Sequence, residues 1–181
     1  MKDLLFLFNT TLMYATPLIF TALGGVLCEK SGVINIGLEG MMTMGAFTAS
    51  LVAIKSGNPW LGLLAGGLGG LSLAVLHALA SIKYKANQVV SGMAINFLGS
   101  GFAIFLCRLF FDGTSMTPPL DLEKKIPTFF GHYATVYLAF AFAIIIWIIF
   151  NKTVLGLRLI STGEHPKSTD AAGLNGAVYK S

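Results

Sequence analysis

Long apolar runs separated by short polar gaps dominate this chain, and the length of the runs sets the expected architecture. A membrane span needs about 20 mostly apolar residues. Five stretches qualify, at about 4–27, 33–54, 60–82, 88–111 and 133–150. Between them lie "CEKS", "KSGNP", "KYKAN" and the longer "DGTSMTPPLDLEKKIPTFFGH", and a polar tail follows at 151–181. The pattern predicts an all-α, polytopic transmembrane helical bundle of about five segments, forming a single domain over 1–181. The second segment breaks the rule. "SGVINIGLEGMMTMGAF" sets Gly32, Asn35, Gly37, Glu39 and Gly40 within nine residues. Irregular backbone at membrane depth is tolerated only where protein or water surrounds it, so this segment is expected to be broken and to face inward.

Two other segments carry patterned small or polar residues. In the third, Gly62, Gly66 and Gly70 fall four apart on one helical face, where another helix can approach closely. His77 in the same segment is either a proton or substrate contact or a hydrogen-bonded member of the bundle. In the fourth, Gln88, Gly92, Asn96, Ser100 and Ala103 form one small and polar stripe. Lipid cannot satisfy amides, so that face looks into protein or a wet cavity. Interhelical hydrogen bonding and lining of a solute path both account for it. Asn35, Glu39, Gln88 and Asn96 are the candidate path-lining groups. For Glu39 a second role is equally open, bonding to backbone groups freed where the helix is broken.

Composition agrees with the pattern. Of 181 residues, 55% are hydrophobic and 11% charged, against about 25% charged in a soluble domain. The net charge of +4 is spread over short loops with no basic block, which points to membrane topology rather than to nucleic acid. "KYKAN" carries two lysines and no acid, and the tail carries Lys152, Arg158, Lys167 and Lys180, so both are expected in the cytoplasm. The balanced long loop is then external. Alternation puts the N-terminus outside, although Lys2 argues against that side. The first segment imitates a signal peptide but is too long and lacks a clear cleavage site. Cys28 and Cys107 read as membrane thiols.

No GxxxxGK[ST] phosphate loop, no HExxH and no His/Cys cluster with metal spacing occurs, and no nucleophile–base–acid set stands on polar loops. A translocation or structural role remains, with no metal and no cofactor bound by this chain. The tail has one further feature. In "STGEHPKSTDAAGLN", Pro166 suits the first turn of a helix, and Gly173 is placed to end it. The expected object is a short helix over 166–172, either an ordinary capped loop helix or one whose Ala171 and Ala172 leave room for a partner surface.

"EKSGVINIGLEGMMTMGAF", "NQVVSGMAINFLGSG" and "GLRLISTGEHPKSTDAAGLN" resemble, in that order, three signature regions of bacterial ABC-importer permeases. They look most like the nucleoside and simple-sugar branch, related to ribose and branched-chain amino acid permeases. The resemblance implies a multi-pass protein of the bacterial plasma membrane in which two permease subunits form the pathway. Two cytoplasmic ATP-binding subunits would hold ATP and Mg and drive it, and an extracytoplasmic binding lipoprotein would deliver a small neutral solute. It also implies that 151–181 is a coupling loop, with Gly156, Arg158, Gly163, Glu164, Pro166, Ala172 and Gly173 as the element that docks on the ATPase. The family commonly has Asn before the coupling-loop proline; here that position is His165, a poorer helix cap. Family members continue through several further helices, so the chain looks like a truncated frame or a fragment. The rival readings are a small secondary transporter or channel, driven by an ion gradient, and a non-transporting membrane scaffold.

Overall fold

The computed structural model describes residues 2–121 and 125–164. The expected coupling helix at 166–172, with Pro166, Ala172 and Gly173, lies outside the described residues. Six α-helices carry most of the rest: α1 (Lys2–Lys30), α2 (Leu38–Ser56), α3 (Pro59–Ala78), α4 (Gln88–Phe110), α5 (Ala134–Lys152) and α6 (Val154–Glu164). A π-helical turn, Leu79–Lys83, continues α3. Two short antiparallel strands, β1 (Thr128–Phe129) and β2 (His132–Tyr133), precede α5. The chain divides into two compact units, Met1–Gly32 with Ile126–Lys180, and Val33–Lys125.

The all-α membrane architecture holds, with one adjustment to the number of spans. Among the described residues, four helices are long and apolar enough to cross a bilayer: Asp3–Lys30, Pro59–Lys83, Gln88–Phe110 and Ala134–Lys152. The expected second span, 33–54, is helical only from Leu38, and α2 does not join those four. Glu39 and Lys55 sit near its two ends, with Thr43, Thr48 and Ser50 between them. The polar tail also differs from expectation, because residues 154–164 form α6 rather than a loop.

In the unit Val33–Lys125, glycines set how closely the helices approach. A Cβ on Gly62 would lie 2.8 Å from the Ala49 carbonyl oxygen, and one on Gly66 would lie 2.9 Å from the Ala49 Cβ. One on Gly70 would lie 3.3 Å from the Met41 carbonyl oxygen. The three glycines of the third segment therefore face α2, which runs antiparallel to α3. On its other side α2 runs parallel to α4. Gly40 lies on Gly99 so closely that a Cβ on either would strike the other helix's backbone. Phe47 then packs with Ala103 and Cys107, and the Lys55 ammonium sits 4.4 Å above the Phe110 ring centre. Local capping fits these boundaries: the Asn58 side chain accepts from Trp60 N–H before Pro59-led α3, and Asn87 accepts from Val89 and Val90 N–H at the start of α4.

The other unit brings α1, the strand pair, α5 and α6 together. The strands register Thr128 with Tyr133 and Phe129 with His132, leaving Phe130 and Gly131 as a two-residue turn. Both have positive φ, 48° and 84°. Two-residue hairpin turns of this kind favour Asn or Gly at the first position, and a bulky residue there costs roughly 1–2 kcal/mol.

Candidate functional site

The broken lead-in to α2 occupies Val33–Gly37, and α4 supplies what it lacks. Gln88 Oε1 accepts from the Ile34 N–H at 2.7 Å. Asn96 Nδ2 donates to the Ile36 carbonyl at 2.9 Å, and its Oδ1 accepts from the Gly40 N–H at 2.8 Å. Gln88 and Asn96 stand eight residues apart, about 12 Å along a helix, so the segment lies nearly extended beside α4. Two glycines open the room for it. A Cβ on Gly92 would lie 3.0 Å from Gly37 N, and one on Gly37 would lie 3.0 Å from the Ile95 Cβ.

The Asn96 contact is a helix cap delivered from another helix. The first N–H groups of a helix have no partner within it, and a side-chain oxygen before the helix commonly takes the one at the third position. Here the residue before α2 is Gly37, which makes no side-chain cap. Asn96, 56 positions further along the chain, takes the Gly40 N–H instead. Asn35 closes the turn locally, its Oδ1 accepting from Gly37 N–H at 3.0 Å.

The four expected path residues thus divide into two kinds. Gln88 and Asn96 are half-buried and spend their amides on backbone, and Asn35 is half-buried with its carbonyl oxygen on Gly37. Glu39 is exposed, and among the described residues no group pairs with its carboxylate. Of the two roles left open for Glu39, bonding to the broken backbone is carried out by Asn96. Among the described residues, nothing hydrogen-bonds to the Ile34 carbonyl or to either peptide group of Val33.

His77 is 3% exposed, with Nδ1 3.0 Å from Ser91 Oγ on α4. Its Nε2 is buried and has no hydrogen-bond partner among the described residues. The structure therefore places His77 in an α3–α4 contact.

The second candidate region is α6. Thr153 breaks the helix after α5 and starts the next one, its Oγ1 accepting from the Gly156 N–H at 3.2 Å and donating to the Ile149 carbonyl at 2.6 Å. Gly156 and Gly163 stand seven residues apart, two turns and one face. A Cβ on Gly156 would strike the Ile149 carbonyl and the Phe150 Cα on α5. One on Gly163 would strike the Lys30 carbonyl at the end of α1 and lie 3.0 Å from Gly32 N. Gly32 has φ 80°, and a Cβ there would lie 2.9 Å from the Gly163 Cα. Two of the seven expected docking residues are therefore packed against other helices of the same chain. Arg158 is half-buried and Glu164 exposed.

Sequence reasoning missed Gly99 as a close-approach position, Ser91 as the partner of His77, and the fully buried Thr162, whose hydroxyl donates to the Arg158 carbonyl. The seven-residue spacing of Gly92 with Gly99, and of Gly156 with Gly163, was the available signal.

Stacked membrane helices, a broken lead-in held by side-chain amides and a capped helix returning to the first one define a multi-pass membrane protein with one irregular internal element. The chain belongs to the family of branched-chain amino acid transport system permease components, whose profile matches residues 7–181. It is 45% identical to the guanosine ABC transporter permease protein NupQ of Bacillus subtilis, covering 94% of this chain and 59% of that protein. It is 35% identical to the nucleoside ABC transporter permease protein NupC of Lactococcus lactis, covering 93% and 59%. The putative glucose ABC transporter permease protein TsgC13 of Haloferax volcanii is also 35% identical, covering 93% and 54%. The chain thus spans somewhat over half the length of these relatives. No solved structure matches it significantly. Family and spans together make this a multi-pass protein of the cell membrane.

Proposed function

We propose that the chain is a membrane-spanning permease subunit of an ATP-driven ABC importer for nucleosides or simple sugars. The observation that carries the reading is the Val33–Gly37 segment, a non-helical stretch in a chain of membrane helices whose peptide groups are held by Gln88 and Asn96. Such backbone belongs beside a polar cavity, and transporters commonly build their sites at broken helices. Similarity to nucleoside and glucose permease proteins over more than nine-tenths of the chain supplies the solute class.

In this reading the segment and Glu39 form one wall of the solute path. Gln88 and Asn96 stand behind it as positioning residues, and Asn35 shapes its turn. The Glu39 carboxylate accepts hydrogen bonds from hydroxyl or amino groups of a passing neutral solute. Contacts of this kind are weak and transient, which suits translocation, while an external binding lipoprotein supplies affinity. A second permease subunit completes the pathway.

Energy comes from partner ATPases, which carry ATP and Mg. The segment that follows α6 in sequence, with Pro166, Ala172 and Gly173, docks on them, together with Arg158 and Glu164. Gly163 rests on the Lys30–Gly32 backbone, and Gly32 leads directly into the broken segment. Displacement of the coupling loop therefore reaches the path wall through a backbone contact that has no side chain to absorb it.

The test is co-purification of the complete permease with its cognate ATPase. Deleting 156–173 is expected to abolish capture while the permease still inserts. Uptake driven by an ion gradient and unaffected by ATPase inactivation would instead establish a secondary transporter.

A further inference from the structure

The hairpin before α5 presents a feature that solute transport does not use. Phe130, at its tip, is 99% exposed and has a left-handed backbone, and Phe129 beside it is 54% exposed. An aromatic ring at a position that favours Asn or Gly is disfavoured by the backbone, and full exposure to water adds nothing to offset that. A ring held there calls for an environment that receives it.

The surrounding contacts locate that environment. The Tyr137 hydroxyl, on the first turn of membrane-crossing α5, donates to the Phe129 carbonyl at 2.9 Å, and the Ala134 N–H donates to the Pro127 carbonyl at 3.1 Å. His132 meets the Tyr137 ring edge-on, with centres 6.3 Å apart. The hairpin is thereby clamped to the start of α5 instead of reaching away from it. Gly131, His132 and Tyr133 also share a cleft of about 150 Å³ with Phe6, Asn9, Thr10 and Met13 of α1. The candidate span of α1 begins at Asp3, so the hairpin lies level with the first turns of a membrane-crossing helix. Phe6 is 68% exposed there, with Leu5 and Phe8 exposed on either side of it.

We infer that the Phe129–Phe130 hairpin tip is a lipid-contact surface, inserted into the bilayer's headgroup and upper acyl zone at the start of α5. The hairpin residues after the tip share a cleft with the exposed Phe6 of α1, and aromatic residues at this depth anchor a protein in the interfacial layer. The occupant is phospholipid, and the hairpin fixes the depth at which α1 and α5 enter the bilayer. The role is independent of which solute the protein carries.

The test uses the full-length permease in phosphatidylcholine vesicles. With Cys28 replaced by Ala, Phe130→Cys is labelled with an environment-sensitive fluorophore; Cys107 is buried. Phosphatidylcholine spin-labelled near the headgroup is expected to quench the probe more strongly than lipid labelled deep in the chain, and aqueous iodide to quench it weakly. Strong iodide quenching places the tip in water and overturns the inference. Quenching by none of the three means that protein covers it, and overturns it equally. A second variant separates ring from turn. Phe130→Asn keeps a residue suited to the left-handed position and removes the ring. A probe at position 129 in that background is expected to lose shallow-lipid quenching and gain iodide access. If its quenching is unchanged, the Phe130 ring does not anchor the hairpin.

Discussion

The lead-in to α2 and the helix α6 solve the same problem by opposite means. Each brings a stretch of backbone against another helix through glycines seven residues apart, Gly92 and Gly99 in one case and Gly156 and Gly163 in the other. The lead-in is not helical, so its peptide groups need outside partners and receive them from the side chains of Gln88 and Asn96. The backbone of α6 satisfies itself, with Thr153 closing its first turn locally. It therefore needs only shape, and meets α1 and α5 backbone to backbone. One junction depends on amide chemistry and the other on the absence of a Cβ. Substitutions that spare one should damage the other.

The largest effect is expected at the glycine crossing of α2 and α4. Gly99→Leu drives a side chain into the Gly40 backbone and should prevent stable folding, since overpacking by even a few methylenes costs about 1–3 kcal/mol and backbone yields less than side chain. Yield of folded protein in detergent checks it. Next is Asn96→Ala, which leaves the Gly40 N–H and the Ile36 carbonyl without partners. At about 1–3 kcal/mol for each group left unsatisfied, thermal stability should fall measurably. Asn96→Asp is the sharper version. It keeps the acceptor for Gly40 and places a second acceptor against the Ile36 carbonyl, so it should recover only part of the loss. Full recovery would mean that the Ile36 bond contributes nothing.

On the other side of the comparison, Gly163→Ala should leave the path wall chemically intact while displacing α6 from the end of α1. The expected result in the assembled importer is lower uptake per ATP hydrolysed, with ATPase capture retained. Equal loss of uptake and hydrolysis would place Gly163 in docking rather than transmission. The smallest effect belongs to Thr153→Ala, which removes the cap of α6 and should cost about 1 kcal/mol, read as a modest fall in melting temperature.

Apolar run lengths made most of the fold legible. Spans near 60–82, 88–111 and 133–150 correspond to α3 with its π-helical turn, α4 and α5 within a few residues, because a bilayer demands length and apolarity that few other patterns meet. The second segment was legible as broken, but not how it is mended. Periodicity shows that Gln88 and Asn96 share a face; it does not show that a glycine-capped helix elsewhere in the chain lacks an acceptor. Polar residues in a membrane fit both interhelical bonding and path lining, and sequence does not show that Gln88 and Asn96 bond to backbone. The same bias concealed α6, whose polar residues suggested a loop although Thr153, Gly156 and Gly163 encode its start and its contacts. Gly156 and Gly163 pack closely against other helices of the chain, a use of small residues that sequence spacing does not distinguish from room left for a partner.

The central claim is that the amides hold the wall and the carboxylate faces the path. Its most direct measurement is nucleoside uptake by the complete importer carrying Glu39→Gln, alongside its assembly and thermal stability. The account predicts normal assembly and unchanged stability, since the exposed carboxylate has no hydrogen bond or ion pair among the described residues, together with a clear loss of uptake. Unchanged uptake in a normally assembled complex would contradict it.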